Sequence, residues 1–198
     1  MEKITDKTGR IAFIGGGMMA EAILKGMLHK EIAEPEMIII SEPSAGRREY
    51  LEKTYKVNTT GCNAEAVKSA GFVILAVKPQ VADVAITKEV ADAIPQNTTV
   101  LSIMGSVNLD KLHKLVPGHA VIRVMPNTPL AVGCGMTAIA PDENVSEEML
   151  DVAKAVFGSC GEIEIIAESA IEAIAAVSGC GPGYVFMMID ALADAGVN

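Results

Sequence analysis

Three consecutive glycines, Gly15, Gly16 and Gly17, stand between an apolar run, RIAFI (10–14), and a stretch with helical spacing, MMAEAILKGML. Gly15, Gly17 and Ala20 fit the pattern G-x-G-x-x-G/A, whose chemistry is the holding of a dinucleotide pyrophosphate. The first glycine permits a tight turn, the second lets a phosphate approach the backbone, and the small Ala20 lets the helix lie close to the strand. Free N–H groups and the positive end of the helix dipole near Met18 attract the anion.

The next strand should end in a group that meets the adenine ribose, and after MIII comes SEPSAGRR. Glu42 can accept hydrogen bonds from both ribose hydroxyls, which favours NAD, and it would repel the 2′-phosphate of NADP. Arg47 or Arg48 could instead reach that phosphate, so the choice between the two cofactors stays open. ILAVKPQ (74–80) ends another strand, and residues Ala76, Val77, Lys78 and Pro79 belong at the cofactor's edge, beyond the strands' carboxyl ends. LSIMGSV (101–107) finishes a further strand in small residues, suited either to close approach of a nicotinamide or to a plain strand-to-helix loop. RVMPNTP (123–129) is held between two prolines and either shapes a substrate pocket or braces the sheet. His29, His113 and His119 sit in no motif, and no catalytic acid or base is identified.

These groups need a scaffold that brings strand ends to one edge. Strand-length apolar runs recur as RIAFI, MIII, FVILAV, TTVLSI and HAVIRV, separated by segments of helical periodicity, which predicts a parallel sheet with helices on both faces. MTAIA (136–140) and EIEIIA (162–167) read as later strands flanking a helix that begins near Ser146, whose SEEM start suits an N-cap. From Glu168 the residues are small and apolar, with two helices expected, broken at SGCGPG. Such a segment needs a partner surface.

The 198 residues carry a net charge of 16 − 25 = −9 and no Lys/Arg stripe, so a nucleic-acid partner is not expected. Cys62, Cys134, Cys160 and Cys180 are widely spaced, with no histidine at ligand spacing, so neither a metal site nor a disulfide framework is expected and a reducing, cytoplasmic location fits. The N-terminus lacks the apolar core of a signal peptide, and no run reaches the roughly 18 apolar residues of a membrane span.

Taken together, FIGGGMMAEAI, AVKPQ, RVMPNTP and above all VSGCGPGYVFMMIDALADAGV resemble the Δ1-pyrroline-5-carboxylate reductase family over essentially the whole chain. The last stretch is similar to that family's V-S-G-S-G-P-A-Y-V-F signature, with Cys180 and Gly183 in place of Ser and Ala, and SIMGSV replaces the more usual S-x-A-A-G-V. The resemblance implies a Rossmann-like, doubly wound, mostly parallel sheet over 1–167, followed over 168–198 by the start of an all-helical domain. Through that domain subunits dimerise and often build larger rings. It implies reduction of the cyclic imine pyrroline-5-carboxylate to L-proline with NADPH or NADH. Carried over to this chain, the phosphate loop is Ile14, Gly15, Gly16, Gly17, Met18 and Met19, and the ribose end is Glu42. Asn63 lies near the adenine side, Ala76 to Pro79 form a wall, and Ile103, Met104 and Gly105 lie beside the nicotinamide. Glu168 borders the substrate. The family's chain continues past Asn198 with helices and an SPGG-type loop that holds the imine and its carboxylate. A β-hydroxyacid dehydrogenase is the competing enzyme, but it needs a later catalytic lysine and none follows Lys154. A nucleotide-binding fragment without turnover is the other alternative.

Overall fold

The computed structural model describes residues 3–197. Its strands are β1 (Arg10–Ile14), β2 (Ile38–Ser41), β3 (Asn58–Thr60), β4 (Ala70–Leu75), β5 (Thr99–Ser102), β6 (Val121–Met125), β7 (Gly135–Pro141) and β8 (Gly161–Ile165). They form one sheet in the order β3-β2-β1-β4-β5-β6-β7-β8. The helices are α1 (Ile4–Thr8), α2 (Met18–His29), α3 (Ala45–Tyr55), α4 (Asn63–Val67), α5 (Ala82–Ala85), α6 (Lys88–Ala93), α7 (Leu109–Leu115), α8 (Glu147–Gly158), α9 (Ile171–Ile174) and α10 (Gly181–Val197).

The apolar runs are continuous because both faces of the sheet are covered. Along β1, Ile11 and Phe13 enter one core with Ile23, Leu24 and Phe157, while Ala12 and Ile14 enter a second with Leu75, Val100 and Leu112. Each fully buried large side chain contributes roughly 1.5–3 kcal/mol relative to exposure. β1 to β6 run parallel, and their register sets Thr60, Ser41, Ile14, Leu75, Ser102 and Arg123 in one row across the sheet. The residues that follow Ser41, Ile14, Leu75 and Ser102, namely Glu42, Gly15, Ala76 and Ile103, therefore emerge along a single edge.

β7 runs antiparallel to β6, and β8 runs parallel to β7. The expected cap is present, since Ser146 Oγ accepts from the Met149 N–H at 3.3 Å. Two elements were not anticipated: the short N-terminal helix α1 and the three-residue, polar edge strand β3. The expected break at SGCGPG is instead a π-helical turn over Ala175–Gly179, in which the Cys180 N–H reaches Ala175 O at 2.9 Å. The wide turn lets the chain stay helical, and Pro182 falls in the first turn of α10, where a missing N–H leaves no helical bond unmade. Glu168–Val197 is thus one helical rod, long and apolar enough by length and composition to cross a membrane, the only such helix among the described residues.

α2 meets the turn that follows α8 at Gly26, where a Cβ would come 2.2 Å from Cys160 Sγ and 2.9 Å from Ser159 Oγ. Gly26→Ala should lower stability by about 1–3 kcal/mol through overpacking, read as a drop in the urea midpoint at unchanged m-value.

Candidate cofactor and substrate site

The site begins at the turn after β1. Gly15 has φ 101°, and a Cβ there would lie 2.9 Å from Ala76 O and 3.1 Å from Val77 Cγ1, so neither the backbone conformation nor the space admits a side chain. The Ala76 N–H donates to Ile14 O at 2.9 Å and ties the two strand ends together. Gly17 is the N-cap of α2, and a Cβ there would meet nothing within 4 Å. The first helical bond runs from the Glu21 N–H to Gly17 O, so the N–H groups of Met18, Met19 and Ala20 lie ahead of it at the helix start. Ala20 is buried, as close packing of helix on strand requires. A cradle that a Cβ would fill at Gly15, open space over Gly17 and an uncapped helix N-terminus together fit a dinucleotide pyrophosphate.

Glu42 follows the last residue of β2. Its carboxylate accepts from the Gly16 N–H at 3.1 Å and from the Ser44 N–H at 3.0 Å, which holds it against the glycine loop. Asn63 braces the same strand end: its Oδ1 accepts from the Ser41 hydroxyl at 2.5 Å, and its Nδ2 donates to Ala85 O at 2.8 Å. Arg47 on α3 donates from Nε to Gly16 O at 2.7 Å and from Nη2 to Gly17 O at 3.4 Å and Glu21 at 2.5 Å. Glu21 also accepts from the hydroxyls of Tyr55 at 2.7 Å and Tyr50 at 2.8 Å. Burial alone would push the Glu21 carboxyl up, but the bonds from Tyr55, Arg47 and Tyr50 outweigh it and leave it below its usual range. The stability this clasp contributes is therefore present above the ordinary carboxyl value and lost as pH falls from there through the lowered one. Burial first, and the bond to Glu21 second, push the Tyr55 hydroxyl up.

On the other side of the edge, the Ile103 N–H donates to Leu75 O at 3.1 Å, joining the β4 and β5 ends. Ile14 and Met104 are buried in the core, so only their backbones can line a ligand, whereas Met18 and Lys78 are exposed. Arg123, near the end of β6, is 3% exposed. It donates to Gly105 O at 2.6 Å and pairs with Glu168 at 3.1 Å and Glu172 at 2.7 Å, and its Nε is buried without a partner. Glu168 also accepts from the Leu109 N–H at 2.6 Å. Arg123 thus connects the loop after β5 with the start of the helical rod. Nothing local announced this contact, which spans 45 residues, except the arginine standing alone inside the apolar run HAVIRV. Asn127 Nδ2 similarly reaches Ser178 O at 3.3 Å, and its Oδ1 accepts from the Met136 N–H at 2.9 Å.

The histidines lie elsewhere. His119 precedes β6 and faces Thr98 O at 3.2 Å, His113 pairs with Asp142 at 3.3 Å, and His29 ends α2, twelve residues and roughly 18 Å from the glycine loop. A cleft of about 490 Å³ is lined by the C-terminal half of α2 and by Leu130–Gly133 and Gly158–Glu162, and holds none of the cofactor or substrate candidates.

Gly17→Asp should fold normally, because the space is open and the backbone there is extended, yet lose NAD(P)H binding by placing a carboxylate against the pyrophosphate. Retained affinity in a titration of nicotinamide fluorescence would refute the loop assignment. Arg123→Met should cost on the order of 2 kcal/mol by leaving Glu168 without its cation, while Glu172→Gln, on the exposed side, should be nearly neutral in the same denaturation experiment.

Residues 10–106 match a family described as "NADP oxidoreductase coenzyme F420-dependent", and residues 168–198 one described as "Pyrroline-5-carboxylate reductase dimerisation". The pyrroline-5-carboxylate reductase of Synechocystis is 45% identical over 188 residues, 95% of this chain and 70% of its own. A solved pyrroline-5-carboxylate reductase from Coxiella burnetii superposes with a TM-score of 0.87 at 30% identity, over 94% of this chain and 70% of that one. The Plasmodium falciparum pyrroline carboxylate reductase, solved with NADP bound, superposes with a TM-score of 0.84 at 31% identity, over 95% and 69%. The likeness takes in both the glycine turn and the helical rod, and the chain belongs to the pyrroline-5-carboxylate reductase family.

Proposed function

We infer that the chain works as a pyrroline-5-carboxylate reductase, reducing the cyclic imine to L-proline with NADH or NADPH in proline biosynthesis. The observation that carries this reading is the 45% identity to a curated reductase along 95% of the chain. A carbon–nitrogen double bond accepts hydride readily once its nitrogen is protonated, so the protein's contribution is orientation and electrostatics. The bound dinucleotide supplies the hydride.

The chain's own residues divide that work by position along the sheet edge. Ile14 to Met19 and the start of α2 hold the pyrophosphate. Glu42 and Asn63 take the adenosine side, and Ala76 to Pro79 wall the cleft. Ile103 to Gly105 present backbone to the nicotinamide, since the Met104 side chain is turned into the core. Glu168 borders the substrate while also holding Arg123. The nitrogen takes its proton from solvent or from residues beyond those described, because the three histidines are off this edge.

The unit that binds cofactor extends to residue 167 and the helical unit begins at 168, a division supported by the end of β8 at Ile165 and by the dimerisation match from 168. Copies of the chain associate through the helical unit as a dimer or a ring of dimers. α10 supports this with no buried residue and with Phe186 64%, Met187 72% and Leu192 74% exposed. The cytoplasm is the compartment, supported by exposed, unpaired Cys62, Cys134 and Cys180.

Oxidation of NADH and NADPH at 340 nm should depend on added pyrroline-5-carboxylate and yield L-proline, on this chain or on one fused to the C-terminal part of the Synechocystis relative. Cofactor binding without imine-dependent oxidation in either would overturn the assignment of substrate.

A further inference from the structure

The adenosine end of the cradle is decided by four charged side chains, and their arrangement discriminates between the two cofactors. Resting on the reading of the chain as an NAD(P)H reductase, we infer that it selects NADH over NADPH, with Glu42 as the discriminating residue and Glu21 as the residue that withholds the nearest cation.

Glu42 is not a loose surface carboxylate. Two backbone N–H groups, from Gly16 and Ser44, fix it beside the glycine loop at the end of β2. In this architecture that position meets the adenine ribose, where a carboxylate accepts from the 2′- and 3′-hydroxyls. A 2′-phosphate would bring about −1.5 to −2 charges to the same place, and an NADP site needs a cation to offset them.

Two arginines are near: Arg47 is turned onto the glycine loop and Glu21, and Arg48 is held to the backbone at Glu42 and Pro43. Arg47 directs Nε and Nη2 at the carbonyls of Gly16 and Gly17, and Nη2 also at Glu21. Its guanidinium lies 5.1 Å from the centre of the Tyr50 ring. Glu21 is in turn held by the hydroxyls of Tyr50 and Tyr55, so the arginine's charge is neutralised by a carboxylate that is itself fixed from two sides. Tyr50 and Tyr55 meet edge to face with centroids 6.4 Å apart, which stiffens the clasp. Arg48 directs Nη1 at the carbonyls of Glu42 and Pro43, at 2.8 and 2.9 Å. The carboxylate at this strand end is that of Glu42, and Arg48 is held to the backbone beside it, so release of Arg48 is the one route left to a 2′-phosphate. Arg47 has a task that NADH also requires: it buttresses the outside of the phosphate loop.

The test is a pair of fluorescence titrations, NADH and NADPH, against the protein and four variants, without substrate. The unaltered chain should bind NADH at least tenfold more tightly than NADPH, and the ratio should shrink as salt is raised, because the discrimination is electrostatic. Glu42→Gln should tighten NADPH at least tenfold and weaken NADH. Glu21→Gln should release Arg47 and raise the NADPH-to-NADH affinity ratio threefold or more, and Arg47→Met added to it should abolish that gain, which a merely structural role for Glu21 would not produce. Equal or tighter binding of NADPH by the unaltered chain, or a selective loss of NADPH in Arg48→Ala, would overturn the selectivity. Failure to bind either nucleotide would instead overturn the cofactor reading beneath it.

Discussion

At Gly15 the backbone turns with a positive φ while its Cα faces the Ala76 carbonyl at a distance that excludes any side chain. That contact is where β1 and β4 end together, and the rest of the edge is aligned from it. Because the central strands share one register, closing the turn at Gly15 also sets the heights at which Glu42, Ala76 and Ile103 leave the sheet. The same turn points α2 back across the sheet with its first N–H groups at the edge and its far end over α8. A backbone made to fit one carbonyl thereby fixes the geometry of a site whose other members lie far apart in sequence.

The helical rod is fastened to this frame in a different way. Ile171 is its fully buried apolar residue, Ala173, Ile174 and Val177 line an apolar cleft with Met136 and Ala138, and polar links are added from Arg123 to Glu168 and Glu172 and from Asn127 to Ser178. Taking a guanidinium out of water is costly, and the two glutamates and the Gly105 carbonyl offset that cost only in one arrangement. The link is therefore sensitive to angle where a greasy contact would slide. It joins the loop after β5 to the segment that carries Glu168, so two candidate parts of the site share one fastening.

The parallel core was legible because both of its faces are buried, which writes strands as unbroken apolar runs and leaves glycine or Lys-Pro at their ends. Glu42 and the loops at 76–79 and 103–105 followed from knowing that ligands sit beyond the carboxyl ends. β3 escaped because Asn58–Thr60 is a polar edge strand with no periodicity to detect, and α1 because five residues carry too little pattern. The clasp of Glu21, Arg47, Tyr50 and Tyr55 and the Arg123 cluster escaped for a common reason. Each is assembled across tens of residues by tertiary packing, and single charged residues announce nothing until the elements that bear them meet. SGCGPG misled because glycine and proline were read as terminators, when a wide turn followed by a first-turn proline satisfies both.

That wide turn has a geometric consequence for the rod. A π turn holds one residue more than an α turn, so residues after it lie about 100° behind where an unbroken α-helix would put them. The stripe that seats Ile171 on the sheet is not continued by α10, none of whose residues is buried. The first half of the rod is seated on the sheet, whereas α10 is unburied on every side and runs clear of it. A single helix is thus an anchored stem with a bare arm, and the stem gives way to the arm across the π turn at Ala175–Gly179.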